Sequence, residues 1–116
     1  EKPLRKKIMG IKTDSVGVDD PKDPDASSIV QFYKLVASET EVAAMEASFR
    51  AGGYGYGHYK QQLFDALWEH FRPARERRTA LAADPAYLDS ILAEGAAKAR
   101  PLAQSVMQRV RAACGL

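Results

Sequence analysis

The sequence predicts an all-α fold, a bundle of four to five antiparallel helices joined by short loops. Three observations support this prediction. Apolar residues recur at intervals of three and four along most of the chain, which places them on one face of a helix. Residues that commonly begin and end helices bracket these stretches. No stretch alternates between apolar and polar residues for long enough to form a strand.

The N-terminal quarter of the chain predicts a short helix followed by a loop. A basic helix is expected over residues 3–12, with Pro3 in its first turn, where a proline costs no backbone hydrogen bond. Residues 13–25 contain five aspartates, two prolines and one glycine, a composition typical of loops. We therefore expect a linker-like part at 1–25 and a helical bundle at 26–116 within a single domain.

The second and third helices are predicted from spacing and capping residues. Ile29, Phe32, Tyr33 and Val36 indicate an amphipathic helix over 26–37, and Asp25 before it is a suitable N-cap. Ser38 and Glu41 have the spacing of a capping box, which begins a third helix that runs to about residue 51. Glycines at 52 and 53 are expected to end it.

Two longer helices complete the predicted bundle. The fourth begins near Gly57 and extends to Leu81, with an expected kink at Pro73. Asp84 and Pro85 form an N-cap followed by a proline in the first turn, and the last helix runs from there nearly to residue 115. We expect a second kink in that helix, at Pro101.

Composition excludes several classes of protein. The chain has 116 residues, 46% of them hydrophobic, and 17 basic against 15 acidic residues, which is ordinary for a folded domain. The single cysteine excludes a disulfide framework and a multi-thiolate metal site within the chain. No stretch reaches the roughly 20 apolar residues that a membrane helix needs. These features predict a small soluble domain of cytoplasmic type.

Two loops are candidates for ligand binding. The glycine-rich segment 52–57 resembles loops that cradle phosphate, but such loops normally follow a strand, so the sequence favours a helix–helix turn that needs positive φ angles. The acidic loop with Asp19, Asp20, Asp23 and Asp25 offers oxygen ligands for Ca²⁺ or Mg²⁺. Its spacing matches no calcium loop, so a solvated turn is favoured.

Basic side chains suggest a third candidate site, for nucleic acid. Arg72, Arg75, Arg77 and Arg78 crowd the second half of the fourth helix, and Lys60 lies near its start. Such patches can contact a phosphate backbone, although interleaved glutamates also fit a solvated face. Catalysis finds little support, because His58 and His70 form no recognisable set with a nucleophile or an acid.

Five short motifs, in collinear order along the chain, resemble the part of bacterial tryptophanyl-tRNA synthetases that follows the KMSKS signature. They read LRKKIM at 4–9 with TDS at 13–15, DPKDPD at 20–25, GYGYG at 53–57 with Lys60 and Leu63, RPARER at 72–77, and LAEGA at 92–96. The resemblance that these motifs carry in order extends over essentially all 116 residues. Each motif is weak alone, and their common order makes the resemblance specific.

The resemblance implies a class I enzyme that attaches tryptophan to its tRNA with ATP and Mg, of which this chain is the C-terminal, helical, anticodon-binding part. The HIGH-type signature is absent and the KMSKS loop would precede Glu1. This chain alone is therefore expected to contain no catalytic, metal or ATP site and to activate no amino acid. The parent enzyme is expected to be a homodimer through the catalytic domain.

The resemblance also implies residues that contact the anticodon loop. An acidic residue after the first helix corresponds to Asp14, flanked by Lys12 and Thr13, and a lysine at the start of the long helix corresponds to Lys60. A carboxylate can accept a hydrogen bond from the amine of cytosine, of which the tryptophan anticodon CCA has two. Asp14 could instead be only a helix-terminating cap. Arg72, Arg75 and Arg78 are expected to contact the RNA backbone, and the alternative for Arg75 is an ion pair that stabilises the bundle.

Two alternatives to an anticodon-binding domain remain. One is a non-enzymatic helical module that binds a protein partner, and the other is a folding unit without useful affinity of its own. Salt dependence distinguishes RNA binding from the first alternative, because phosphate contacts weaken steeply as salt rises whereas an apolar groove is much less sensitive.

Overall fold

The computed structural model describes residues 1–115, and within them all regular structure is helical. This confirms the predicted all-α class. The six helices are listed in chain order: α1 (Lys2–Met9), α2 (Ser28–Tyr33), α3 (Glu39–Ala51), α4 (Tyr56–His70), α5 (Arg72–Ala82) and α6 (Pro85–Cys114). The chain divides into two compact units, one of residues 1–73 and one that begins at Ala74.

Helix ends follow the capping residues seen in the sequence. The Ser38 hydroxyl accepts a hydrogen bond from the Glu41 amide, and the Glu41 carboxylate accepts one from the Ser38 amide at 2.8 Å, so the predicted capping box is present. Asp84 accepts from the amide of Tyr87 at 3.0 Å and Pro85 opens α6, as predicted. Local sequence is sufficient to predict where α3 and α6 begin, because each cap is formed within four residues.

Replacing Ser38 with alanine is expected to lower the free energy of unfolding of the first unit by about 1 kcal/mol, because amides in the first turn of α3 lose their cap. Urea unfolding followed by the fluorescence of Trp68, the one tryptophan and a member of this unit, measures the change. Ser105→Ala, at an exposed position inside α6, is the control and is expected to leave that stability unchanged. Equal losses in the two variants would contradict the prediction.

The core of the first unit is formed where α2 and α1 pack against α4, and α2 also contacts α3. Its buried members are Ile8, Ile29, Val30, Met45, Phe49, Tyr59, Leu63 and Phe64. Helix α2 is shorter than predicted and its N-cap is Ser27, not Asp25. The buried face of α2 also differs from the predicted one, because Val30 is buried whereas Phe32 is 48% exposed. A helix this short can bury only one side against α3 and α4.

The predicted fourth helix is two helices. Helix α4 ends at His70, Phe71 forms a turn, and α5 begins at Arg72, so Pro73 lies in a first turn rather than at a kink inside a helix. A proline is tolerated there because the amide it replaces has no partner within the helix. Helix α6 continues through Pro101, and the kink at that residue stays a prediction.

The second unit buries no residue of α5 or α6. Large apolar side chains of α6 are exposed: Tyr87, Ile91, Leu92, Leu102, Val106, Met107 and Val110. The spacing of Ile91, Leu92, Leu102, Val106 and Val110 places these residues on one face of the helix. No helix within residues 1–115 combines the length and hydropathy that a membrane span needs.

Candidate functional site

A cleft of about 330 Å³ opens on the surface of the first unit. We call it the Asp14 cleft. Its lining residues are Lys12, Thr13, Asp14, Asp23, Ala26, Ser27, Ser28 and Tyr56. The structure therefore places residues 12–14, which the resemblance implies as anticodon contacts, in one cleft with Asp23 of the acidic loop. Residues 26–28 and Tyr56 also line the cleft. The sequence did not indicate these four as site residues.

Asp14 is held by two hydrogen bonds to the same carboxylate oxygen. The Tyr56 hydroxyl donates to Oδ1 at 2.6 Å, and the Val16 amide donates to Oδ1 at 3.0 Å. The Tyr56 bond, followed by the Val16 bond, lowers the pKa of Asp14 below its ordinary value. The second oxygen, Oδ2, has no hydrogen-bond partner within residues 1–115. Asp14 is thus an exposed, ionised acceptor with one oxygen available.

Tyr56 reaches Asp14 from the first residue of α4. Its ring meets the buried Phe49 ring edge to face, with centroids 6.2 Å apart. Burial, and after it the bond to Asp14, raises the pKa of Tyr56 to about 12. The hydroxyl therefore stays protonated and donates at all physiological pH values. The contact spans 42 residues of sequence, and no local signal could have identified it.

The loop between α1 and α2 is organised by Lys22, which is only 3% exposed. Its ammonium donates to the carbonyl oxygens of Gly17 at 2.7 Å, Val18 at 3.0 Å and Asp20 at 2.9 Å. Its backbone amide donates to the carbonyl of Phe49 at 2.8 Å. All three ammonium protons are therefore used inside the protein.

The aspartates of this loop are exposed, as a solvated turn requires, although the loop also contains the buried Lys22. Within residues 1–115 no group of three or more His, Cys, Asp or Glu side chains is arranged to hold a metal ion.

The glycine-rich segment serves this same loop. Gly52 and Gly53 have φ angles of +75° and +88°, which confirms the expected turn with positive φ. The Gly53 amide donates to the carbonyl of Val18 at 3.0 Å, and a Cβ on Gly52 would lie 2.4 Å from the carbonyl oxygen of Asp19. These glycines allow the backbone of the loop to lie directly against the end of α3.

Lys60 lies beside the segment that leads into the cleft. Its ammonium donates to the carbonyl oxygens of Met9 at 3.1 Å and Ile11 at 2.7 Å, which closes the end of α1. Ile11 directly precedes Lys12, so Lys60 fixes the backbone from which the cleft begins. An ammonium has three protons, and these contacts use two of them.

The three arginines are distributed between the two units. Arg72 belongs to the first and forms an ion pair with Glu69 at 2.7 Å. Arg75 and Arg78 belong to the second, where the Arg75 carbonyl accepts from the Thr79 hydroxyl and Arg78 lines a shallow cleft with Arg77 and Leu88. None of the three lines the Asp14 cleft.

Comparison with known proteins finds no matching family model. A tryptophan–tRNA ligase of Rhodopirellula baltica is 47% identical over 115 residues, which is 99% of this chain and 36% of that protein. A tryptophan–tRNA ligase of Campylobacter jejuni is 39% identical over the full 116 residues, again 36% of its length. The chain spans about a third of these relatives and matches their C-terminal part.

A similar fold is found in the crystal structure of Campylobacter jejuni tryptophanyl-tRNA synthetase complexed with ADP and tryptophan. The TM-score is 0.90 at 38% sequence identity, over 99% of this chain and 36% of that one. At this identity and coverage the two proteins are similar in sequence as well as in fold. The resemblance to tryptophanyl-tRNA synthetases that the five motifs indicated is therefore confirmed.

Proposed function

Because this chain matches the C-terminal part of tryptophan–tRNA ligases along its whole length, we propose that it is the helical anticodon-binding domain of such an enzyme. The 116 residues work as one RNA-binding domain. The parent enzyme attaches tryptophan to its tRNA using ATP with Mg, in the cytoplasm and as a homodimer through its catalytic domain. The chain described here binds the anticodon loop and performs no chemistry of its own.

One observation supports this proposal above the others: Asp14 lines a cleft and has a carboxylate oxygen without a hydrogen-bond partner within residues 1–115. An ionised carboxylate only accepts hydrogen bonds, and the N4 amine of cytosine only donates them. Ligand pockets begin at about 300 Å³, so this cleft has room for a single unstacked base. RNA loops present their bases in this splayed form.

The remaining site residues contact either the nucleotide bound in the Asp14 cleft or the phosphate backbone of the RNA. Lys12 and Thr13 line the cleft beside Asp14 and offer a charge and a hydroxyl to the bound nucleotide. Lys60 holds the entry to the cleft and has one proton left for a phosphate oxygen. Arg72, Arg75 and Arg78 contact the phosphate backbone elsewhere, which positions the RNA without reading its sequence.

The Asp14→Ala variant is expected to lose most of the preference for cytosine, a change of about 1–3 kcal/mol in discrimination. The measurement is a titration at about 0.1 M salt with two tRNAs that differ only in the anticodon, CCA or UUA. Uracil has an oxygen in place of the N4 amine of cytosine and carries a proton on N3, so the second RNA removes the N4 donor and moves the remaining donor to the ring. Lys60→Ala is expected to lower the affinity for both tRNAs and to reduce the difference between the two affinities.

Asp89→Ala is the matched control, because Asp89 is an exposed carboxylate on α6. It is expected to behave like the unmodified chain with both tRNAs. Equal affinity of the unmodified chain for the two RNAs would contradict anticodon reading. Affinity that persists unchanged as salt rises would point to a protein-binding module, the alternative that apolar contacts favour.

A further inference from the structure

We propose that Tyr56 determines the base specificity of the Asp14 cleft by fixing the orientation of the Asp14 carboxylate. Tyr56 is thereby a positioning residue that acts through Asp14. This inference rests on the proposed function and deepens it, because it assigns the selection of an amine-bearing base to a pair of side chains rather than to Asp14 alone.

The hydrogen-bond geometry carries the first step. Both donors that reach Asp14, the Tyr56 hydroxyl at 2.6 Å and the Val16 amide at 3.0 Å, bind the same oxygen. Two donors on Oδ1 define the rotation of the carboxylate about its side-chain bonds. Oδ2 is consequently left as the acceptor that has no protein partner within residues 1–115. An exposed aspartate without these bonds would exchange its two oxygens by rotation.

The second step is that Tyr56 is itself fixed. Its ring meets Phe49, which is fully buried, and the Lys22 ammonium lies 5.7 Å from the ring centroid. Lys22 in turn is held by three backbone carbonyls. A hydroxyl carried on such a ring has little freedom, so the carboxylate is oriented before any RNA arrives. Orientation in advance reduces the entropy lost on binding.

The charge state of the pair gives the chemical selectivity. Asp14 stays ionised because its bonds to Tyr56 and Val16 lower its pKa, and Tyr56 stays protonated because burial and Asp14 raise its pKa. The available oxygen therefore can only accept. It matches the N4 amine of cytosine and opposes the O4 oxygen of uracil at the same place on the base.

The test is a double-mutant cycle with Tyr56→Phe and Asp14→Ala in the full 116-residue chain. Tyr56→Phe removes only the hydroxyl and is expected to reduce the preference for the CCA over the UUA tRNA by about tenfold, a typical value for a hydrogen bond to a charged group. In the Asp14→Ala background the same change is expected to have no further effect, because Tyr56 acts through Asp14.

A second measurement needs no RNA. The carboxyl carbon of Asp14, followed by NMR during a pH titration, is expected to show a lowered pKa in the unmodified chain and a value closer to ordinary in Tyr56→Phe. Tyr54→Phe is the control, because Tyr54 is a half-exposed tyrosine two residues away that stacks on His58. It is expected to change neither the titration nor the RNA preference.

The outcomes separate the two proposals. If Asp14→Ala loses the preference while Tyr56→Phe keeps it, the positioning role of Tyr56 is overturned and the proposed function stands. If Tyr56→Phe lowers the preference equally with and without Asp14, Tyr56 acts independently of Asp14 and the inference is again overturned. If Asp14→Ala keeps the full preference, the proposed function fails, and the assignment of Tyr56 with it.

Discussion

Replacing Lys22 with methionine is expected to lower the free energy of unfolding of the first unit by about 3 kcal/mol, because the buried lysine is lost together with its three charge-assisted hydrogen bonds to backbone carbonyl groups. Methionine has a similar length and no proton to donate. The carbonyl oxygens of Gly17, Val18 and Asp20 then have to find water or move apart. Either response loosens the loop that lies against α3.

Urea unfolding monitored by Trp68 fluorescence measures this loss. Lys34→Met is the matched control, since the Lys34 side chain is 35% exposed and pairs with Glu46 at 2.8 Å on the surface. Surface ion pairs contribute about 0–1 kcal/mol, so the control is expected to lose much less stability. A loss no larger for Lys22→Met than for Lys34→Met would show that the three carbonyl bonds of Lys22 contribute nothing beyond an ordinary surface pair.

The Gly52→Ala variant is expected to lose about 3–4 kcal/mol of unfolding free energy, from backbone strain at a positive φ angle together with a steric clash. The new Cβ would lie 2.4 Å from the carbonyl oxygen of Asp19. That neighbour is backbone and belongs to the loop held by Lys22, so it cannot rotate away as a flexible side chain would. The loop and the end of α3 have to separate.

Gly53→Ala isolates the contribution of strain. Gly53 has a φ angle of +88°, but a Cβ there would have no atom within 4 Å. We expect a loss of about 1–2 kcal/mol, the cost of the backbone conformation alone. The difference between the two variants in the same urea experiment gives the cost of the clash. Identical losses would mean that the contact with Asp19 relaxes freely.

Helix boundaries were predicted best where a local cap sets them. The Ser38–Glu41 box and the Asp84–Pro85 pair are completed within one turn, and both helices begin as predicted. Helix α2 was predicted less well, since its length and its buried face depend on α3 and α4. The exposed apolar residues of α6 make the same distinction. Their spacing in the sequence determines that the helix has an apolar face, whereas packing decides whether that face is covered.

The candidate site divides in the same way. The motifs predict residues 12–14 and Lys60 as site residues, and the resemblance to tryptophan–tRNA ligases is confirmed by the relatives. The sequence predicted neither the hydrogen bond from Tyr56 to Asp14 nor the burial of Lys22. A lysine among aspartates is typical of an exposed loop, and a tyrosine among glycines is typical of a turn.

What the sequence by itself determined is the helical class, the caps that begin α3 and α6, the glycine turn and the family likeness, because each is encoded in neighbouring residues or in their order. The tertiary structure alone decided that Lys22 is buried and that Tyr56 holds Asp14 across 42 residues. Burial and hydrogen bonding between distant residues depend on where the chain returns in space. That return is set by the packing of α1, α2 and α4 around their shared core.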